Sequence, residues 1–350
     1  VASWSVLVED LLGACGQIAR GEPLRLPAKT ASFASWARQL AERTRRGEFG
    51  ADGRHWLDAR GEPPSPLPRD HARGANLAGD RGEVVVVLDA VRTQRLANRR
   101  GGTVALSRLT CAALAVTLAE WAGAPEVVID VEGHGRDALG DEIDVSRTVG
   151  WFTSVHPARL RVDGNRPLAE VLEGVTSQLR AVPGTGAGYG ALRFLGDDPG
   201  TRAALARLDV AEVAFNFLGD LARSLPVPQG FELVATSVGP DRCPDDPRRY
   251  LFEVSCWTMA GRLEVAWGFA TSVHERDTVE RLAGRLVEVL AQASASEPAA
   301  EAAGTSGSTT SVGAQAPGGT AVPRREGPAK RRTSGLVPIQ PGGSATPVFA

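Results

Sequence analysis

The chain has 350 residues, 43% hydrophobic and 23% charged, an ordinary balance that leaves room for two domains or one large bilobed one. Its formal net charge of −2 excludes a general attraction to nucleic acid or to anionic membranes. Cys15, Cys111, Cys243 and Cys256 are too widely spaced for a Cys-x-x-Cys site and read as reduced thiols of a cytoplasmic protein.

No apolar run approaches the length of a membrane span, and no basic segment precedes an apolar core at the N-terminus, so no secretory signal is expected. Trp4, Leu7, Val8, Leu11, Leu12, Cys15 and Ile18 recur at helical spacing and predict a helix over 3–20, capped by Ser3 or Ser5 and ended by Gly21-Glu22-Pro23. An apolar helical face that starts this early predicts a chain beginning inside an amphipathic helix. Ser32 is placed to cap a second helix carrying Phe33, Trp36, Ala37 and Leu40. Residues 47–82 are rich in Gly, Pro, Arg and Asp and read as a long crossing segment, with Trp56 and Leu57 tucked down.

Val84–Leu88 is a short apolar run and predicts a strand. A helix comes next over 107–122 with Ser107 as its cap, then a strand over 126–132. Residues 149–160 look extended. Pro167 suits the first turn of a helix in which Leu168, Val171, Leu172, Val175, Leu179 and Val182 repeat. Residues 183–190 (Pro-Gly-Thr-Gly-Ala-Gly-Tyr-Gly) read as a loop. Strands are expected over 210–218, 249–257 and 262–270, the last two joined by a turn at Met259-Ala260-Gly261, and a closing helix over 275–293. Beyond Ser294 the chain is Ala, Gly, Ser, Thr and Pro with basic clumps at Arg324-Arg325 and Lys330-Arg331-Arg332, a composition that predicts disorder. Alternating strands and helices give an α/β class.

The chemistry concentrates at Glu132-Gly133-His134-Gly135-Arg136-Asp137. Here a buried strand runs into a carboxylate, an imidazole and a guanidinium, a way of carrying acid-base groups to the bottom of a cleft. On its residues alone Glu132 reads either as such a group or as a strand-end carboxylate paired with Arg136. The five histidines are scattered, with no metal-ligand spacing. No Gly-x-Ser-x-Gly elbow is present. The Gly186-x-Gly188-Tyr189-Gly190 run lacks the Lys-Ser/Thr of a phosphate loop.

Four segments in order resemble the epimerization domains of nonribosomal peptide synthetases, members of the condensation-domain superfamily. They are Glu132–Asp137, Thr148-Val149-Gly150-Trp151-Phe152-Thr153-Ser154, Val182–Arg193 with its Gly-Tyr-Gly, and Phe215-Asn216-Phe217-Leu218-Gly219. The resemblance covers residues 3 to about 294 and implies a chloramphenicol-acetyltransferase-like α/β fold. Residues 1–82 would be the remnant of an N-terminal lobe and crossover, 83–294 the C-terminal lobe, and 295–350 a disordered tail. The N-terminus is similar to the stretch just after the family's His-His-x-x-x-Asp-Gly motif, which would place the two histidines just ahead of Val1.

The resemblance implies L/D interconversion at the Cα of an aminoacyl or peptidyl thioester by two-base proton transfer. The chain would need no cofactor of its own. The substrate would ride on the 4'-phosphopantetheine of a carrier protein, with neighbouring synthetase modules as further partners and neither nucleic acid nor membrane. Glu132 would be one acid/base, and the facing histidine would lie outside this chain, leaving it inactive alone. His134 is expected to orient its neighbours and polarise Glu132, and Arg136 to pair with a carboxylate, Asp137 or Asp141. Asn216 would bond the thioester or, alternatively, satisfy strand-edge backbone. Trp151, Thr153, Ser154, Gly188 and Tyr189 are candidate channel or pantetheine contacts, although a tryptophan such as Trp151 is more often core than substrate contact. Two other classes stay open: an amide-forming condensation domain and a non-catalytic remnant that binds a carrier protein. Phe217 stands where the family usually has Tyr.

Overall fold

A computed structural model describes residues 2–58, 64–98, 102–208, 210–224, 239 and 242–295. The expected tail, with its basic clumps, lies outside the described residues. In chain order the elements are α1 (Ala2–Ala19), α2 (Phe33–Arg45), α3 (Gly50–Asp58), β1 (Arg81–Leu88), α4 (Ala90–Ala97), α5 (Gly102–Ala122), β2 (Glu126–Gly133), β3 (Ser154–Arg161), α6 (Leu168–Arg180), α7 (Ala187–Leu195), α8 (Pro199–Ala206), β4 (Val213–Asp220), a single turn α9 (Leu221–Ser224), β5 (Phe252–Met259), β6 (Arg262–Ala270) and α10 (Arg276–Ala295).

The six strands form one mixed sheet in the order β1-β6-β5-β4-β2-β3. β4 is flanked on both sides by parallel partners, β2 and β5, and the other pairings are antiparallel. A parallel neighbour demands a crossover, and α6, α7 and α8 supply the one between β3 and β4. β5 turns into β6 through Ala260 (φ +49°) and Gly261 (φ +77°), two positive-φ residues between paired Met259 and Arg262. That is the geometry of a two-residue hairpin whose twist matches its strands.

Side chains alternate across a strand, and one face of this sheet is apolar. Ile129, Phe215, Val254, Cys256, Val265 and Trp267 are buried together under α5, α6 and α10. α5 is 21 residues long and apolar enough to cross a membrane by length and composition, which corrects the expectation that no run approaches that length. Its buried stretch from Leu109 to Ala119 is packed in the core cluster, and the hydroxyls of Thr110 and Thr117 donate to the carbonyls of Leu106 and Ala113 four residues back. A smaller cluster joins Trp36 of α2 to Phe152, 4.8 Å between ring centroids, with Leu139, Ile143 and Val145. Another joins Trp56 of α3 to Tyr189, Leu192 and Leu205.

The differences from expectation are local. Ser32 caps α2 by accepting from Ser35 N. Ser3 and Ser107, however, lie inside their helices. α3, α4 and α8 went unforeseen because they are short. Two of them are announced by aspartate caps, Asp89 and Asp198. The glycine run is not a loop throughout: Gly186, at φ +79°, starts α7, so Gly188 and Tyr189 are helical.

Candidate active site

Glu132 is the next-to-last residue of β2, aligned with Val155 of β3 and Asn216 of β4. Asn216 Nδ2 donates to Glu132 Oε2 at 2.8 Å. Parallel register produces this pair, because aligned residues on parallel neighbours point to the same face. The place is the carboxyl end of β2, where open α/β sheets collect their chemistry, beside the middle of its parallel neighbour β4. Asn216 is thus a partner of the carboxylate itself.

Burial is the main influence that raises the proton affinity of Glu132, and the negative charges of Glu253 and Asp130 add to it. Among the described residues no Lys, Arg or His pairs with Glu132. A half-buried carboxylate without a cation is poised to exchange a proton rather than to hold an ion pair.

The loop after β2 is organised around Arg136. Its Nη1 donates to the Val145 carbonyl at 2.6 Å, and its Nη2 to the Thr148 carbonyl at 2.8 Å and to Ser3 Oγ at 3.1 Å. The guanidinium also lies 4.4 Å from the centroid of the Phe152 ring. The expected carboxylate partner of Arg136 is therefore replaced by backbone carbonyls. Ser3 in turn donates to Gly150 O and accepts from Gly150 N, which ties α1 to the same knot. Gly135 makes the turn at φ +63°, where a Cβ would meet the Phe152 carbonyl oxygen at 1.7 Å, so no other residue fits.

His134 does not polarise Glu132. Its Nδ1 accepts from Arg136 N at 3.2 Å and lies 3.8 Å from Asp137 Oδ1, on an exposed side chain. Asp137 also accepts from Thr185 Oγ1, linking this loop to the approach of α7. Trp151 is 68% exposed, so it is not core, and Thr153 beside it is exposed too. Ser154 pairs with Gly133 across β2 and β3, and its Oγ is buried. Tyr189 is a packing residue, buried at 3% with its hydroxyl donating to Leu205 O, which corrects the expectation of a channel contact. Gly188 lies against Asp52 of α3, where a Cβ would be 2.4 Å from Oδ2. His156, one strand over, is buried beneath Gly186 and its pKa is pushed down to about 4 by burial.

Sequence reasoning missed the polar group beneath Glu132. Asp130, on the same face of β2, is 1% exposed and accepts from Tyr250 Oη at 2.8 Å and from Arg249 Nη2 at 3.1 Å. Glu253 of β5 accepts from buried Arg248 at 3.0 Å, and Arg248 also donates to Gly268 O. The signal was present: an aspartate interrupting Val127-Val128-Ile129, and Arg248-Arg249-Tyr250 just before a strand.

A condensation-domain family model matches residues 1–305. The chain belongs to the condensation-domain family. It is 35% identical over 291 residues to chondramide synthase cmdD of Chondromyces crocatus, covering 82% of this chain and 7% of that protein. It is 29% identical over 292 residues to bacitracin synthase 3 of Bacillus licheniformis, covering 82% and 4%. The condensation-domain chain thus spans a small fraction of the curated relatives it matches. Among solved structures, it is similar to the epimerization domain from the third module of tyrocidine synthetase B. The TM-score is 0.74 at 27% identity, over 84% of this chain and 66% of that one. The condensation domain of the Monacolin K polyketide synthase MokA, at 17% identity and TM-score 0.61 over 84% and 66%, shares the fold. The mixed α/β architecture is that of the condensation-domain structures.

Proposed function

We propose that this condensation-family chain is part of a nonribosomal peptide synthetase epimerization domain, acting at the Cα of a thioester on a carrier protein's phosphopantetheine arm. The observation that carries this reading is the Glu132–Asn216 pair, with a half-buried carboxylate held by an amide and, among the described residues, by no cation. A proton α to a thioester carbonyl is acidic enough for such a base when water is excluded. Similarity to a solved epimerization domain supports the reading, as do the Trp151-Phe152-Thr153 and Gly188-Tyr189-Gly190 segments that carry the resemblance.

Inversion needs a second proton donor on the opposite face of Cα. The family resemblance assigns that group to the family's histidine motif. Glu132 is the acid/base that this chain supplies, and a positioned group of that kind contributes roughly 10²- to 10⁴-fold in rate. The test incubates the folded chain with an L-aminoacyl carrier protein in D₂O and follows Cα by mass spectrometry and chiral analysis. Deuterium uptake at Cα is expected. No uptake, from protein shown to be folded, leaves a non-catalytic domain that at most binds a carrier protein. New amide product with a second loaded carrier, without uptake, assigns the domain to condensation.

A further inference from the structure

Directly below Glu132 the sheet carries two more acids, each held by an arginine from one short segment. Asp130 takes Arg249 and Tyr250, and Glu253 takes Arg248. The segment itself is fixed by Asn76, whose Nδ2 donates to the carbonyls of Arg248 and Tyr250 while its own carbonyl accepts from Arg248 N. Arg242 also lies 3.8 Å from Glu253, so three arginines attend these two acids, and none of the three pairs with Glu132.

We propose that Asp130, Arg249 and Tyr250 form a positioning group that holds Arg249 on Asp130 and so sets the charge environment of Glu132. The charge balance around Glu132 can be laid out element by element. On β2 the nearby charge is Asp130, and on β5 it is Glu253, the two acids that act on Glu132. β4 contributes the neutral Asn216 and β3 the apolar Val155. Arg136 and His134 of the following loop are turned to other partners. Arg248 is fastened between Glu253 and a backbone carbonyl. Arg242 stands 3.8 Å from Glu253 on an exposed side chain, and Arg249 is 54% exposed while its partner Asp130 is almost fully buried. Removing the Arg249 charge takes a cation away from Asp130 and strengthens the push of the acids on Glu132. Neutralising Asp130 removes that push and releases Arg249.

The two substitutions therefore have opposite signs, which a general structural role would not produce. The proposal rests on the functional reading only for its use of Glu132 as the base, and its test needs no turnover. The full chain is labelled with [13Cδ]glutamate, the Glu132 resonance is assigned by its loss in Glu132→Gln, and its titration is followed by NMR. Arg249→Gln is expected to move the Glu132 midpoint up and Asp130→Asn to move it down. Tyr250→Phe, which keeps both charges, is expected to move it less than either. An unchanged midpoint in Arg249→Gln overturns the proposal, as does a shift of both charge variants in one direction. Arg249 is exposed, so its variant decides the matter even if Asp130→Asn does not fold. If the wild-type chain shows no Cα exchange while these shifts appear, the epimerization reading fails and the positioning group stands.

Discussion

Along β2, successive residues live in two environments. Ile129 and Val131 face the helices and belong to the core that contains Phe215, Val254 and Trp267. Asp130 and Glu132 face the other way, among Asn216, Arg249, Tyr250 and Glu253. The first face is held by area removed from water, which is non-directional and tolerant of which apolar residue stands where. The second is held by hydrogen bonds and charge, where each group has a named partner. The comparison teaches that stability and chemistry are separable here by parity along a single strand, and substitutions can test that separation.

The largest effect on stability is expected from the helix-side face. Phe215 is 1% exposed at the centre of the sheet, and Phe215→Ala should cost about 3–5 kcal/mol by leaving a cavity. Urea denaturation measures it. A loss below about 1 kcal/mol would mean that this face is not the main source of stability.

Glu132→Gln sharpens the contrast from the other face. It should reduce Cα hydrogen exchange by at least about 10²-fold without lowering stability. The sign of its pH dependence comes from the raised proton affinity of the native carboxyl. Wild-type and variant match in acid, where Glu132 is protonated in both the folded and unfolded states. As pH rises from the unfolded carboxyl range through the higher folded value, ionisation of the half-buried group destabilises the wild type only. The variant is therefore the more stable protein at neutral pH. Thermal midpoints at matched acid and neutral pH check this, and a variant less stable at neutral pH would show that the ionised carboxylate is held favourably after all.

Between these extremes lies Arg136, whose side chain serves structure from within the functional loop. Arg136→Ala removes the donor of the Thr148 carbonyl and leaves the Val145 carbonyl with Thr148 N–H in place of two donors, and it should cost about 1–3 kcal/mol. Lysine cannot reproduce the fork and should recover only part of this. Differential scanning calorimetry of both variants reads it.

This alternation also decides what the sequence made legible. Long apolar periodicities announced α2, α6 and α10, and the valine run announced β2, because core burial leaves a repeating trace, whereas α1 shows the same period with Trp4, Leu7, Leu11 and Ile18 exposed. Glu132 was legible as the charged end of an apolar strand, and its catalytic assignment came from the family resemblance. Partners were not legible. Arg136 and Val145 are neighbours only because the loop folds back through Gly135, and Asp130 meets Tyr250 across 120 residues. Tyr189 misled for a related reason: its glycine neighbours suggest an open loop, while Gly186 in the left-handed region starts a helix that carries the ring into the Trp56 cluster.

The smallest expected effect on stability isolates contact with a partner from everything else. Trp151 sits between Gly150 and buried Phe152, and it is 68% exposed, although a tryptophan in solvent gains nothing from folding. Trp151→Ala should therefore change stability by no more than about 0.5 kcal/mol. On the proposed function this ring is free to meet the loaded carrier arm, so the same variant should weaken binding of a holo-carrier protein while leaving the Glu132 titration in place. Isothermal calorimetry with holo- and apo-carrier protein separates the two contributions. A weakening seen only with the holo form assigns Trp151 to the arm, and an equal weakening with both forms assigns it to the protein surface of the carrier. Unchanged binding to either form leaves Trp151 outside the carrier contact.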